Sequence, residues 1–242
     1  MIDLLNSIDQ QVFLFFNGLH NDFFDRFMML FTGRFIWVPM YATILFMLFK
    51  TFKPKIVAVY LLAISLAVLL TDQTCATLIR PLVERLRPSN PANPFSELVY
   101  IVDGYRGGSF GFPSCHSANS FALAAFMLCL FPRHRCSIFI VGWAVLNSYS
   151  RLYLGVHYPG DLLVGAAIGS VYGLLCYKLA RLFDHDSVAQ TCERVSRPLF
   201  PLTGSNAVGT GRTAGLVFTV GDVLIGVGAM TIFVIFAIAL AG

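Results

Sequence analysis

Six apolar runs, near 34–52, 55–79, 116–132, 136–154, 160–182 and 215–241, set the limits on what this chain can become. A helix that crosses the hydrocarbon core of a bilayer needs about 20 mostly apolar residues, and the runs approach or exceed that length. The composition agrees. Of 242 residues 57% are hydrophobic and 12% charged, with a mean hydropathy of +0.72. A soluble domain would carry about 25% charged residues. The expected fold is all-α: a polytopic membrane helical bundle of about six transmembrane helices, forming a single membrane domain over 1–242. In such a chain the net charge of +4 is no sign of a nucleic-acid partner. Where the charges sit matters more than their sum.

The N-terminal stretch reads differently. Leu5, Ile8, Val12, Phe15, Phe16 and Leu19 recur at helical spacing over 4–20, with Asp9, Gln10 and Gln11 among them. That is too short and too polar to span, so an amphipathic helix lying on the membrane surface is expected. Phe23 to Phe31 is a second short apolar piece, interrupted by Asp25 and Arg26, and residues 1–33 are assigned to interfacial helices. The absence of a basic run before the first apolar residues argues against a cleaved signal peptide. The six cysteines (Cys75, Cys115, Cys129, Cys136, Cys176 and Cys192) are scattered, mostly within apolar runs. They are expected to be small buried residues rather than a disulfide framework or a zinc site.

Parity orients the bundle. The polar loop 80–115 and the stretch 150–161 are separated by two spans, so they share one face. Of the seventeen Lys and Arg, ten belong to the opposite face: Lys50, Lys53, Lys55, Arg133, Arg135, Lys178, Arg181, Arg194, Arg197 and Arg212. The positive-inside rule makes that face cytoplasmic, together with a loop over 184–214. The expected location is a bacterial inner membrane, with 80–115 and 150–161 facing the periplasm or the outside. The run 215–241, interrupted by Asp222 and several glycines, is expected to be an extra transmembrane helix.

Three polar groups gather on the outer face. Arg80 and Arg87 stand seven apart where a span leaves the membrane, on one face if the helix continues. Pro113-Ser114-Cys115-His116 precedes the run at 116–132, with Ser114 placed to cap a helix whose first amides would bind an anion. Ser150-Arg151, His157 and Asp161 close the set, with Pro159 suited to the first turn of a helix and the histidine and aspartate four apart. Read singly, each has an ordinary explanation: snorkelling arginines, a capped helix, a structural pair. Together they place cations, imidazoles, a carboxylate and a helix N-terminus on one face of one membrane, and ionisable groups so placed mark a site.

These three groups resemble the signature motifs of the type 2 phosphatidic acid phosphatase superfamily. Its first motif is Lys, six residues, Arg-Pro, and here Arg80 precedes Arg87-Pro88 at that spacing. Its second, Pro-Ser-Gly-His, appears as Pro113-Ser114-Cys115-His116. The third, Ser-Arg, five residues, His, three residues, Asp, is matched in full. The resemblance covers a catalytic core over 55–183. It implies that His157 attacks phosphorus to form a phosphohistidine, that Asp161 orients His157, and that His116 is the general acid and then the base. It also implies that Arg80, Arg87, Arg151, Ser114 and the amide of Cys115 hold the phosphoryl oxygens, with no metal and no cofactor. Arg106, in the loop over the site, is a candidate contact for the head group. Arginine in place of lysine at 80 keeps the charge but changes the donor geometry. Cysteine in place of glycine at 115 would carry strain if that position needs positive φ.

The implied partners are the lipid bilayer and a phosphorylated membrane lipid. The expected substrate is undecaprenyl diphosphate, with lipid A and phosphatidylglycerophosphate as alternatives. A lipid phosphotransferase would use the same intermediate and pass the phosphoryl group to another lipid. The related vanadium-dependent haloperoxidases share the motifs but are soluble. A transporter would explain buried charge without predicting three motifs on one face.

Overall fold

A computed structural model describes residues 2–184, 188–196, 199 and 219–241, and among them the protein is helical. In chain order the helices are α1 (Ile2–Asn17), α2 (Asp22–Phe31), α3 (Val38–Thr51), α4 (Pro54–Asp72), α5 (Arg80–Val83), α6 (Cys115–Leu130), α7 (His134–Tyr153), α8 (Pro159–Arg181), α9 (Val188–Ser196) and α10 (Val220–Ala241). A π-helical stretch, Gln73–Ile79, joins α4 to α5, so one apolar rod of 30 residues runs from Pro54 to Val83. It ends where Glu84 turns left-handed, at φ 48°.

That rod, α8 and α10 are each long and apolar enough to cross a bilayer, and α2 with Phe35–Thr51 forms a further pair bent by 69°. Two of the expected spans fall short of that measure of length and apolarity, each for a physical reason. Helix α6 has only 16 residues, and α7 devotes its last turns to the buried polar side chains Asn147, Ser148, Ser150 and Arg151. Residues 215–218 of the last expected span, and Arg197 and Arg212 of the expected cytoplasmic charges, lie outside the described residues.

Helices α6 and α8 form the spine of the bundle. Gly165, Gly169 and Gly173 recur every fourth residue along α8 and face Ser114, Ala118 and Ala122, spaced likewise along α6. A Cβ on Gly169 would collide with the Ala118 carbonyl, so only glycine permits this approach. Small residues at such spacing let backbones touch in a membrane, where lipid supplies no hydrophobic drive between helices. Separated by α7 alone, α6 and α8 run parallel and begin at the same end. The amide of Ser114, just before α6, donates to the carbonyl of Asp161 in the first turn of α8 (3.0 Å). Around this spine a continuous core includes Trp37, Met40, Tyr60, Phe126, Phe131 and Ile140.

Helix α1 is amphipathic, as its spacing predicts. Its apolar residues Leu4, Leu5, Ile8, Val12 and Phe15 are exposed, as suits a lipid-facing surface, while Phe13 and Asn17 are buried against the bundle. Asn17 donates to the carbonyls of Tyr100 and Tyr153 (both 3.0 Å) and accepts from the amide of Tyr100 (2.8 Å). The opposite end of the bundle carries Lys50, Lys53 and Lys55 at the α3–α4 turn, Arg133 and Arg135 before and in the first turn of α7, and Lys178 and Arg181 at the end of α8.

Candidate active site

The start of α6, the α7–α8 turn and the segment after α5 meet at one end of the spine. Ser114 caps α6 from an extended conformation, accepting from the Ser117 amide at 3.5 Å. Proline at 159 opens α8, and the Asp161 carboxylate reaches back to the Tyr158 amide (3.0 Å). Cys115 is not among the residues with positive φ, so cysteine carries no backbone strain in place of glycine.

His157 is almost sealed, at 1% exposure. Its Nδ1 faces Asp161 Oδ2 at 3.3 Å and its Nε2 faces Arg87 Nη1 at 3.0 Å. A guanidinium can only donate. Nε2 is therefore the bare nitrogen, and Nδ1 carries the proton toward the carboxylate. Burial, with the charges of Arg87, Arg151 and Arg80 around it, holds the imidazole well below its ordinary pKa and so neutral. A neutral imidazole with a fixed tautomer is a competent nucleophile.

Arg87 also donates to the carbonyls of Val156 and Phe110 (both 3.2 Å). Burial and the nearby Arg80 and Arg151 pull its pKa down to about 10. The seven-residue spacing would put it on one face of a continuous helix with Arg80, but it does not reach the site that way. The helix stops at Val83, and Arg87 arrives on an extended strip whose Leu86 bridges to Phe110. Arg80 Nη2 donates to the Pro113 carbonyl and to Cys115 Sγ (both 3.1 Å). Arg151, 2% exposed, donates to Thr32 Oγ1 and Tyr105 Oη (both 2.9 Å). The Nε of Arg80 and that of Arg151 are buried with no hydrogen-bond partner among the described residues. Arg106 is exposed and donates to the Ser89 carbonyl at 2.6 Å, which ties down the loop over the site.

His116 lies within electrostatic reach of His157, Arg87 and Arg151. It lines a cavity of about 660 Å³ whose wall also holds Cys115, Arg34 and Asp72, and then apolar Ile44, Leu61, Ile64, Val68, Leu123 and Trp143. Two imidazoles, three guanidiniums and a helix N-terminus thus share one end of the bundle, beside an opening that leads between membrane helices. The arrangement can hold a phosphoryl group, attack it and protonate what leaves.

Sequence reasoning missed several members. Tyr105 and Thr32 hold Arg151. Gly111 lies against Asp161 and Arg87. Arg85 donates to Asp161 Oδ1 (2.9 Å) and to Asp9 Oδ2 (2.6 Å). The available signal was charge: Asp9 and Arg85 are ionisable residues beside apolar segments, where such groups usually serve a site.

Comparison with known proteins gives the chain's family. A model of the PAP2 superfamily matches residues 57–185. A lipid A 4′-phosphatase of Bacteroides thetaiotaomicron is 59% identical over 180 residues, covering 74% of this chain and 80% of that protein. A lipid A 4′-phosphatase of Porphyromonas gingivalis is 34% identical over 179 residues, covering 74% and 75%. Among solved structures, the crystal structure of Aquifex aeolicus LpxE superposes with a TM-score of 0.53 at 26% identity, covering 69% of this chain and 93% of that one. The chain belongs to the PAP2 superfamily and is a membrane-embedded phosphatase.

Proposed function

We propose that this protein hydrolyses the 4′-phosphate of lipid A at the periplasmic face of the inner membrane. The observation that carries the reading is the 59% identity with a lipid A 4′-phosphatase, over a stretch of 180 residues. The relatives favour this alternative over undecaprenyl diphosphate, the first expectation from sequence. The cavity beside His116 supports it, because its apolar wall suits acyl chains while the phosphate meets the guanidiniums. The charges gathered at the other end of the bundle support the periplasmic orientation.

The chemistry follows from the contacts. Arg87 Nη1 donates to the lone pair of His157 Nε2. A bound phosphoryl group draws that donor to its own oxygens and uncovers the nucleophile. Nε2 attacks phosphorus, the bond from phosphorus to the sugar oxygen breaks, and His116 gives its proton to that oxygen. The phosphohistidine is cationic, and Asp161 at Nδ1 stabilises it. Water then attacks phosphorus, His116 takes its proton, and inorganic phosphate leaves with His157 restored. Arg80, Arg87, Arg151, Ser114 and the first amides of α6 stabilise the charge on the equatorial oxygens, the usual source of catalysis in phosphoryl transfer. Arg106 at the rim is the candidate contact for the sugar head group.

The test is phosphate release by the purified protein from lipid A, undecaprenyl diphosphate and phosphatidylglycerophosphate, with His157→Ala as control. Lipid A should be hydrolysed fastest, and the variant should lose turnover by about 10⁴-fold or more. Vanadate should inhibit and EDTA should not. Faster release from either other lipid would overturn the substrate, and full activity in His157→Ala would overturn the nucleophile. Phosphate recovered on a second lipid rather than free would make the protein a phosphotransferase.

A further inference from the structure

We infer that Asp9, on the N-terminal helix outside all three motifs, is a positioning residue for catalysis, acting on the Asp161–His157 pair through Arg85. The inference rests on the roles given above to His157 and Asp161. Four contacts make the chain. Asp9 Oδ2 takes Arg85 Nη2 at 2.6 Å, Arg85 Nη1 donates to Asp161 Oδ1 at 2.9 Å, and Asp161 Oδ2 faces His157 Nδ1 at 3.3 Å. The other oxygen of Asp9, Oδ1, accepts from the amide of Gly160 at 2.7 Å, in the first turn of α8. Position 160 is fitted to this contact, since a Cβ there would stand 3.0 Å from Asp9 Oδ2. Arg85 is steadied from beneath by the ring of Tyr158, 4.1 Å from its Cζ.

The physical reason for two carboxylates on one guanidinium is charge. Asp161 must keep net negative charge facing His157 when the imidazole becomes a cationic phosphohistidine. Paired with Arg85 alone, it would be neutralised at the moment its charge is needed. Asp9 supplies a second negative charge, so the group of three carries one net negative charge while Arg85 still fixes the orientation of Asp161. The side chains of Asp9 and Arg85 are 13% and 21% exposed and that of Asp161 is fully buried, so solvent screens this arrangement less than a surface pair. Asp9 also ties α1 to the α8 turn that carries Asp161, which makes the N-terminal helix part of the active site.

The experiment compares Asp9→Asn, Asp9→Glu and Asn17→Ala in the full chain, in detergent, on whichever of the three lipids the wild type hydrolyses fastest. Asn17 anchors the same helix to Tyr100 and Tyr153 and has no hydrogen bond to the Asp9–Arg85–Asp161 chain, so its variant reports a loosened α1 alone. Asp9→Asn should lower kcat by 10- to 100-fold with KM within about twofold. Asp9→Glu should recover most of that loss, and Asn17→Ala should shift thermal stability more than kcat. Equal losses of kcat in Asp9→Asn and Asn17→Ala, or no rescue by glutamate, would reduce Asp9 to a structural anchor and overturn the inference. Wild-type kcat in Asp9→Asn would do the same. If the wild type releases phosphate from none of the three lipids, the parent reading falls and takes this one with it.

Discussion

A methyl group on Gly111 would stand 3.1 Å from Asp161 Oδ2, 3.2 Å from Arg87 Cγ and 3.5 Å from His157 Nδ1. The backbone at this glycine is not in the left-handed region, so alanine fits the chain and crowds only the site. Gly111→Ala should therefore leave the thermal midpoint within a few degrees of wild type and lower kcat by about 10²-fold, the scale of loss when reacting groups shift by about 1 Å. Steady-state kinetics beside a melting curve checks it, and a normal kcat would show that the contact is slack. His157 makes a second prediction at this scale. Its folded pKa lies well below the ordinary 6.5, so below that pH the unfolded chain binds a proton that the folded one refuses. Folding stability should fall as pH drops below about 6.5, by up to about 1.4 kcal/mol per pH unit from this one group, and should be flat above it. The melting temperature of wild type minus that of His157→Gln, followed from pH 7.5 to 5, isolates the group. A difference independent of pH would mean that the imidazole is not held neutral.

Helices α6 and α8 touch backbone to backbone, and that contact delivers the capped N-terminus of α6 to the first turn of α8. Gly169→Ala adds one carbon against the Ala118 carbonyl and must push the helices apart. Gly142→Ala adds the same carbon on α7, where nothing lies within 4 Å. Both gain the same helix propensity, about 1 kcal/mol in favour of alanine. Gly169→Ala should nonetheless lose about 1–3 kcal/mol by overpacking, while Gly142→Ala holds or gains. Melting of the two variants in one detergent decides it, and equal behaviour would mean that the spine is not close-packed. The same pair of helices shows what the sequence discloses. Ser114, Pro159 and the spacing of His157 and Asp161 are local signals, and they find the helix starts and the histidine–aspartate contact. The approach of α6 to α8, the arrival of Arg87 on an extended strip, and the bond from Asp9 to Arg85 are contacts between segments far apart in the chain. No short-range pattern encodes them. Asp9 was visible as a polar residue on an amphipathic helix, but its partner was not, because Arg85 lies 76 residues away in the chain.

The two ends of the whole molecule differ in kind. At one end Arg80, Arg85, Arg87 and Arg151 are held by carbonyls, hydroxyls and carboxylates around His157. At the other, Lys50, Lys53 and Lys55 stand at the α3–α4 turn and Lys178 in the last turn of α8. Charges of the second kind resist translocation and stay cytoplasmic, whereas charges consumed by a site carry no such signal. That distinction supports the proposed orientation, since it depends only on which end each group occupies. Gly108, exposed in the loop over the site with nothing within 4 Å of an added Cβ, is a clean place for a reporter. Gly108→Cys should react with a membrane-impermeant maleimide in cells whose outer membrane alone has been opened. Lys53→Cys should react only after the inner membrane is broken, with wild type giving the background from the native cysteines. The opposite pattern would put the site in the cytoplasm, where a periplasmic lipid phosphate could not be its substrate.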